Sequence, residues 1–430
     1  MSGQRNGTSD YETIFTIETT PLKYGPGASG ETGWELKRIG VGRVLLVTDP
    51  GIIDAGITPR IQELIEAEGI EVEVFDRAYV EPTAESFQEA ADFAAEGGFD
   101  GFVAVGGGTS IDTAKVADLI STHSGEIMDY VNPPIGGGKQ PPSPLKPLVA
   151  VPTTAGTGAE ATPVAILDIP DQRVKTGIAS EYLRANRGIV DPLLTMSMPP
   201  EVTSASGLDV VCHAAETYTS KPYKERRKPG SPDERPPYQG ANPIADVWAT
   251  QALEYGGKYL RRAVENGEDV EARGAMMLGA SLAGAGFGSA GVHIPHACSY
   301  PIAGLKPEYY PPSYPQDHPL VPHGWSVIVT APAAFRFIYS SNPERHRKVA
   351  EILSGEEIKD ADENTLPEVI VQLMKDVGAP RGLRELGYDE EDVDQLVDGA
   401  IKQERLLVLS PREVTEDDLA NILRESMENW

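Results

Sequence analysis

The chain has 430 residues, of which 40% are hydrophobic and 24% charged, so it is long enough to form two globular domains. Acidic residues outnumber basic ones by 65 to 37, which gives a formal net charge of −28. Such a surface repels polyanions, and we therefore expect neither nucleic acid nor an anionic membrane as a partner.

The acidic residues are spread along the chain rather than gathered in one tail. Because salt screens the self-repulsion of such a surface, this pattern predicts a halophilic protein in a salt-rich cytoplasm; an acidic mesophilic enzyme is the alternative. Two cysteines provide no disulfide framework, no secretory signal pattern is visible, and no apolar run approaches the roughly 18 residues of a membrane span. We expect a cytoplasmic location, and the sequence leaves a homo-oligomer open.

Between about Gly40 and Asp191, short β-rich runs alternate with helical patterns. Strands are predicted in VGRVLLVTD, EVEVFD, FDGFVAVGGG, KPLVAVPTT and TPVAILD, and helices in ITPRIQELIEAEG and AESFQEAADFAAEGG. Strands and helices in this order are typical of a parallel sheet with crossover helices. We therefore predict an α/β nucleotide-binding domain over residues 1–194.

After DPLLTMSMPPEV the pattern changes to long amphipathic or Ala-rich stretches with few β-branched runs. The clearest are DVVCHAAETYTS, IADVWATQALEYGGKYLRRAVE, VEARGAMMLGASLAGAGFG and PEVIVQLMKDVG. Two Pro-rich loops, residues 220–240 and 306–324, interrupt them. Residues 195–430 are therefore predicted to form an all-α domain.

A glycine run follows the third predicted strand, in FVAVGGGTSIDTAK. An apolar strand, then Gly106, Gly107 and Gly108, then a helix beginning near Thr109 would let a phosphate approach free N–H groups at the helix N-terminus. The spacing is not GxGxxG, so a regular Rossmann motif is absent. A tight strand-to-helix turn capped by Thr109 is the plainer reading.

Two further loops carry polar side chains at predicted strand ends. VAVPTTAGTGAEAT offers the hydroxyls of Thr153, Thr154 and Thr157, which suit a ribose or phosphate, although an ordinary loop fits as well. VLLVTDP ends in Asp49, whose carboxylate would accept hydrogen bonds from an adenosine ribose and repel a 2′-phosphate. That favours NAD over NADP; the alternative for Asp49 is a turn-forming role before Pro50.

Metal-ligand residues cluster in the second half of the chain. Asp209 and His213 are four residues apart in a helical pattern and hence on one face, as a metal site or a structural hydrogen bond requires. Five of the seven histidines lie within one stretch: His213, His293, His296, His318 and His323. Asp209, His213, His323 and one histidine of GVHIPHACSYP would give a mixed O/N set, suited to Fe²⁺ or Zn²⁺. The nearby Cys298 is interpreted as packing.

These motifs together resemble the iron-containing alcohol dehydrogenase family over nearly the whole chain. The matching segments are GGGTSIDTAK, VPTTAGTGAEAT, the DxxxH of Asp209 and His213, PHACSYPIAG and VPHG. Within the family, FTIETTPLKYG, DYVNPPIGGGK, RPPYQGANPIADVWA and DHPLVPHGWSVIVTAPAAF are most similar to the hydroxyacid-oxoacid transhydrogenase branch. The resemblance implies a Rossmann-like, dehydroquinate synthase-like N-terminal domain.

The resemblance also implies roles for individual residues. The metal ligands would be Asp209, His213, His296 and His323. The cofactor NAD would contact Asp49, Gly106, Gly107, Gly108, Thr109, Asp112, Thr153, Thr154, Thr157 and Lys175. Many family members have a proton-relaying histidine four residues after the ligand that matches His296; here that place is Tyr300, which we take as the candidate catalytic residue.

The branch implies a small-molecule reaction: 4-hydroxybutyrate would reduce the cofactor and 2-oxoglutarate would reoxidise it. The alternative is an iron-containing, NAD-dependent alcohol dehydrogenase or aldehyde reductase with an exchangeable cofactor. Since both acids carry carboxylates, one or two cations of the basic loop between Lys221 and Arg235 are a hypothetical binding site, and a solvated loop is the alternative.

Overall fold

Short runs of aliphatic residues build a six-stranded parallel sheet in the first half of the molecule. The computed structural model describes residues 10–170, 174–305, 307–314, 316 and 318–430. The strands of this sheet are β1 (Leu22–Tyr24), β2 (Arg43–Val47), β3 (Glu71–Phe75), β4 (Gly101–Gly106), β5 (Leu148–Pro152) and β8 (Arg187–Val190). They lie in the order β1-β8-β5-β4-β2-β3, all parallel.

Helices cover both faces of this sheet. They are α1 (Thr32–Arg38), α2 (Pro50–Asp54), α3 (Ile57–Glu66), α4 (Ala84–Gly97), α5 (Gly108–Thr122) and α6 (Ile127–Tyr130). Along β2, Leu45 packs in one apolar cluster with residues of α4 and α5, whereas Val44 packs in another with residues of α3. This alternation is the period-two pattern of a strand buried on both faces. The predicted α/β class and both predicted helices are confirmed.

One predicted strand of the parallel sheet is wrong. TPVAILD forms β6 (Val164–Ile169), which pairs with β7 (Val174–Ala179) as a separate antiparallel hairpin. The segment between β5 and β6 contains only a 3-10 turn, Ala159–Ala161, and no crossover helix. A parallel partner needs such a crossover, so β6 cannot extend the sheet from there. β1 and β8, which the sequence patterns missed, complete the sheet instead.

The described residues after Val190 form helices and turns, and none of them forms a strand. The helices are α7 (Pro200–Thr219), α8 (Pro243–Glu265), α9 (Val270–Ala290), α10 (Ile294–Gly304), α11 (His323–Ile328), α12 (Ala331–Ile338), α13 (Pro343–Ser354), α14 (Thr365–Asp376), α15 (Val393–Ile401), α16 (Glu404–Leu407) and α17 (Glu416–Glu425). The four helical patterns named above correspond to α7, α8, α9 and α14.

The predicted boundary at residue 194 falls in a 3-10 turn, Pro192–Thr195, between β8 and α7. The division into two independent domains stays a prediction. Within the described residues no helix on its own is both long and apolar enough to cross a membrane; α9 and α10, bent by 105° at their junction, meet the two criteria only as a pair. The second Pro-rich loop includes Lys306, Pro315 and Asp317, which lie outside the described residues.

Candidate active site

The four residues predicted as metal ligands come together where α7, α10 and α11 meet. Asp209 and His213 are one turn apart on α7. His296 lies in the first turn of α10, and His323 is the first residue of α11. Each residue offers one ligand atom, and these four atoms all lie within 4.8 Å of one another. The fold therefore assembles one carboxylate and three imidazoles from three helices.

The polar atoms of this cluster fit a divalent metal. Asp209 Oδ1 lies 3.5 Å from His296 Nε2 and 3.7 Å from His323 Nε2, separations longer than those of a good hydrogen bond. Asp209 Oδ1, His213 Nδ1 and His296 Nε2 are buried, and the described part of the chain provides no hydrogen-bond partner for them. Unpaired buried polar atoms are rare because they destabilise a fold, and a cation bound within the cluster would satisfy these three.

The protonation of three members of the cluster, Asp209, His213 and His323, also suits a cation. Burial lowers the pKa of His213 to about 3 and that of His323 to about 4, so both rings are neutral at pH 7 and keep a lone pair for a metal. Burial would raise the pKa of Asp209, but the imidazoles of His213 and His323 hold it well below its usual range. Asp209 is therefore an anion, as a metal ligand must be.

A buried carboxylate that the sequence patterns missed supports the cluster. Glu216 Oε1 lies 2.5 Å from His296 Nδ1, and Glu216 Oε2 accepts a 2.6 Å hydrogen bond from the backbone N–H of His293. Burial alone would lower the pKa of His296, but Glu216 and Asp209 raise it to about 10, so a metal ion bound at Nε2 would displace a proton from this ring. A carboxylate on the far nitrogen of a ligating histidine fixes its ring orientation. Glu216 lies two turns after Asp209 and one after His213, a spacing that could have revealed it.

The other two candidates of GVHIPHACSYP lie outside the cluster. His293 is fully buried, and its Nε2 lies 3.0 Å from the Thr219 hydroxyl. His293 is also a neighbour of Glu216, and it lines neither of the two cavities described below. Cys298 is buried in the apolar core of the helical half, where burial raises the pKa of its thiol to about 12. The position of Cys298 agrees with the packing role that the sequence suggested.

The glycine run and the threonine loop form one cradle at the carboxyl ends of β4 and β5. A Cβ atom on Gly107 would lie 3.3 Å from the Thr154 side chain, and one on Gly108 would lie 2.8 Å from the Thr157 hydroxyl. Helix α5 begins at Gly108 without a side-chain cap, so its first N–H groups stay available to a ligand. Thr153 Oγ1 is buried, with no hydrogen-bond partner among the described residues. This cradle fits a pyrophosphate.

Asp49 lies beside the same cradle, at the end of β2. Its Oδ1 accepts from the Ile52 N–H at 3.2 Å and caps α2, while its Oδ2 accepts from the Ser110 hydroxyl at 3.1 Å. Burial raises the pKa of this carboxyl above its usual value. Both readings of Asp49 are thus compatible with the structure, since a capping carboxylate keeps further lone pairs for a ribose.

Two adjoining cavities connect the cradle with the histidine cluster. The outer cavity, about 810 Å³, runs from Asp49 past Gly107 and Thr154 to Asp209. The inner cavity, about 170 Å³, is lined by His213 and His296. Both cavities touch Gly108, Thr109, Thr157, Glu81 and His323. A dinucleotide in the outer cavity would therefore present one end to a small molecule in the inner cavity.

Asp112 and Lys175, both predicted as cofactor contacts, line the inner cavity and not the outer one. Asp112 Oδ2 accepts from the Ile166 N–H at 3.0 Å and so holds β6 against α5. Lys175 forms a buried ion pair with Glu81, whose backbone has φ 61°, a conformation rare outside glycine. Their cofactor contacts stay predictions; the contacts seen are internal to the protein.

Tyr300 lies in the inner cavity, one helical turn after His296 on α10. Its hydroxyl accepts a 2.6 Å hydrogen bond from Arg405 Nη2 on α16. Since a tyrosine hydroxyl both donates and accepts, its own proton remains for another partner. Arg405 is 105 residues away in sequence, and no local pattern of the chain points to it.

The structure does not support the hypothesis that cations of the basic loop bind the substrate. None of the basic residues between Lys221 and Arg235 lines the inner cavity. Arg235 instead pairs with Glu12 at 3.0 Å, and Arg226 donates to the Tyr238 carbonyl. These two contacts fasten the loop to the N-terminal segment and to its own end. Tyr238, just past them, is the part of this region that reaches the cavity.

Comparison with known proteins identifies the family. The model of iron-containing alcohol dehydrogenase matches residues 19–192, and the model of the C-terminal part of the Fe-containing alcohol dehydrogenase family matches residues 238–427. The chain is 46% identical over 427 residues to a protein of Rattus norvegicus named hydroxyacid-oxoacid transhydrogenase, mitochondrial, covering 98% of this chain and 91% of that one. The Homo sapiens protein of the same name is 45% identical, with the same coverage.

Solved structures have the same fold. A 1,3-propanediol oxidoreductase is 29% identical with a TM-score of 0.83, covering 96% of this chain and 100% of that one. An archaeal halo-thermophilic Red Sea brine pool alcohol dehydrogenase is 26% identical with a TM-score of 0.84, covering 97% of this chain and 100% of that one. The α/β sheet followed by a helical half is therefore the architecture of known alcohol dehydrogenases.

The predicted cytoplasmic location is contradicted by these relatives. The transhydrogenases of rat, human and the other animals compared are named as mitochondrial proteins. The prediction was wrong because it rested on few cysteines and a lack of apolar segments. Those features separate aqueous compartments from membranes and secreted proteins, but they do not distinguish one aqueous compartment from another.

Proposed function

The chain belongs to the iron-containing alcohol dehydrogenase family, and on that premise we propose that it is a metal-dependent hydroxyacid-oxoacid transhydrogenase. In the proposed reaction, 4-hydroxybutyrate loses a hydride from C4 and its hydroxyl proton, and 2-oxoglutarate gains both at its oxo group. The products are succinate semialdehyde and 2-hydroxyglutarate, with NAD(H) as the carrier. The observation that carries this proposal is the 46% identity over 98% of the chain to proteins of that name.

The residues of the cradle would bind and orient NAD. The free N–H groups at the start of α5 and the close approach that Gly107 and Gly108 permit suit the pyrophosphate. Asp49, at the far end of the outer cavity, would accept hydrogen bonds from the adenosine ribose. This arrangement directs the nicotinamide end of the cofactor toward the inner cavity.

Asp209, His213, His296 and His323 would hold the metal, with Fe²⁺ as the family's typical ion and Zn²⁺ as the alternative. When bound, the metal supplies Lewis-acid polarisation of the substrate oxygen and the nicotinamide supplies hydride exchange. Glu216 keeps the His296 ring oriented toward the cluster. Tyr300 would carry the substrate's proton, because its hydroxyl lies in the inner cavity with its proton uncommitted.

The alternative function is an NAD-dependent alcohol dehydrogenase that releases its cofactor at each turnover. This alternative is supported by the similarity to a solved 1,3-propanediol oxidoreductase at 29% identity and to a solved alcohol dehydrogenase at 26% identity. The binding residues for metal and dinucleotide serve both functions equally, so only the reaction itself separates them.

The test is to incubate the metal-loaded protein with 4-hydroxybutyrate and 2-oxoglutarate, without added NAD or with NAD well below the enzyme concentration. We expect 2-hydroxyglutarate and succinate semialdehyde in equal amounts, in excess of the NAD present. Rapid NADH accumulation with simple alcohols, and no 2-hydroxyglutarate, would instead establish the alternative function.

The acidic surface leads us to propose that the protein works at high salt. The net charge is −28, so the acidic side chains repel one another at low ionic strength. Counterions at high salt screen this repulsion and thereby stabilise the compact state. We expect the melting temperature to rise by about 5 °C or more between 0.1 and 2 M KCl. Glycine at equal osmolality, which carries no net charge, is the control solute. A melting temperature that is flat or falls with KCl would contradict this proposal.

A further inference from the structure

The inner cavity contains two basic side chains, and they differ in how their charges are balanced. Lys175 is paired with the Glu81 carboxylate, and Asp168 adds a second negative charge nearby. Arg405 on α16 forms no ion pair with any residue that the structure describes. In a chain with 65 acidic residues a carboxylate partner for an arginine is easily found. The cavity therefore keeps one positive charge without an internal counterion.

The neighbours of Arg405 orient it without neutralising it. Its Nη2 donates to the Tyr300 hydroxyl at 2.6 Å, and the Tyr238 hydroxyl is its other polar neighbour. The guanidinium carbon lies 5.6 Å from the ring centre of Tyr300 and 5.9 Å from that of Tyr238. Burial raises the pKa of Tyr238 to about 12, so its hydroxyl is neutral. A guanidinium has five N–H donors, more than the two tyrosine hydroxyls engage.

We propose that Arg405, positioned by Tyr238 and Tyr300, binds the substrate carboxylate and thereby selects hydroxy acids and oxo acids over simple alcohols. Planar guanidinium and carboxylate groups form paired, charge-assisted hydrogen bonds. The same cavity is lined by His296 and His323 of the metal cluster and by Arg405, so one small molecule can reach both. This inference rests on the proposed function for the identity of the substrates.

The two proposed substrates share the feature that such a site would recognise. In 4-hydroxybutyrate the reacting carbon C4 is three bonds from the carboxylate carbon. In 2-oxoglutarate the reacting carbon C2 is also three bonds from the distal carboxylate carbon. One guanidinium at a fixed place can therefore align both acids with the same hydride-exchange position. The cavity has a volume of only about 170 Å³, which suits short acids.

The test compares Arg405→Gln, which removes the charge, with Arg405→Lys, which keeps it but loses the planar fork. The first readout is the ratio of kcat/KM for 4-hydroxybutyrate to that for 1-butanol, which lacks the carboxylate. We expect Arg405→Gln to lower this ratio by about ten- to hundredfold and Arg405→Lys to lower it less. Lys224→Gln, in the basic loop outside the cavity, is the matched control and should keep the wild-type ratio.

The second readout is inhibition of 1-butanol oxidation by glutarate, which cannot react. It reports on carboxylate binding even if the protein proves to be an alcohol dehydrogenase, so it separates failure of this inference from failure of the proposed function. We expect Arg405→Gln to weaken glutarate inhibition at least about tenfold. Metal content and melting temperature establish that each variant folds. Wild-type selectivity and glutarate inhibition in folded Arg405→Gln, or in Arg405→Met, which also removes the charge, if the first does not fold, would overturn the proposal.

Discussion

His323→Ala is expected to lose both the bound metal and the enzymatic activity. The replacement leaves three of the four ligands, and Lewis-acid assistance worth several kcal/mol disappears with the ion. A fall in kcat on the order of 10³-fold or more follows. Elemental analysis of the metal-loaded protein and steady-state rates measure the two effects.

His323 is a better choice for this test than His296. No described side chain forms a hydrogen bond with the His323 ring, whereas loss of His296 would leave the buried carboxylate of Glu216 without its partner. His123→Ala is the matched control, because His123 lies outside both cavities and its ring bonds, among the described residues, only the Ser143 carbonyl. A His323→Ala protein with one metal per chain and more than a tenth of wild-type kcat would show that the cluster is not the catalytic site.

Gly108→Ala is expected to weaken NADH binding by at least about tenfold while the metal content stays unchanged. The new Cβ would lie 2.8 Å from the Thr157 hydroxyl, so this wall of the cradle must shift where the pyrophosphate approaches the backbone. Fluorescence titration with NADH measures the change.

Gly30→Ala is the matched control for this substitution. It places the same methyl group where no atom lies within 4 Å, and it should bind NADH like the wild type. Unchanged NADH binding in a folded Gly108→Ala protein would mean that the dinucleotide lies elsewhere. Together, His323→Ala and Gly108→Ala distinguish the metal site from the cofactor site, which a loss of activity alone cannot do.

Local patterns were sufficient for the elements that a single segment determines. The helix spacing of Asp209 and His213 placed both on one face of α7, and the strand, glycine run and helix start around Gly107 appear in the fold as the pattern implied. In each case the residues are close in sequence, so the geometry of one element fixes their relation.

Features that depend on contacts between distant segments were missed. Spacing alone could not choose between His293 and His296, because the choice depends on how α10 packs on Glu216 of α7. The residues of β6 are strand-forming, but pairing with β7 rather than with the sheet follows from the missing crossover helix. The Arg405 contact with Tyr300 joins α16 to α10 and has no sequence signature.

The size of the inner cavity has a consequence for kinetics. A space of about 170 Å³ with one unpaired cation has room for one acid at a time, so the hydroxy acid must leave as its oxidised product before the oxo acid enters. The two half-reactions would then alternate in a ping-pong scheme, and the NADH-bound enzyme would be the form present between them. Each acid in excess would compete with the other for the same place, and flux would be highest when neither acid greatly exceeds the other.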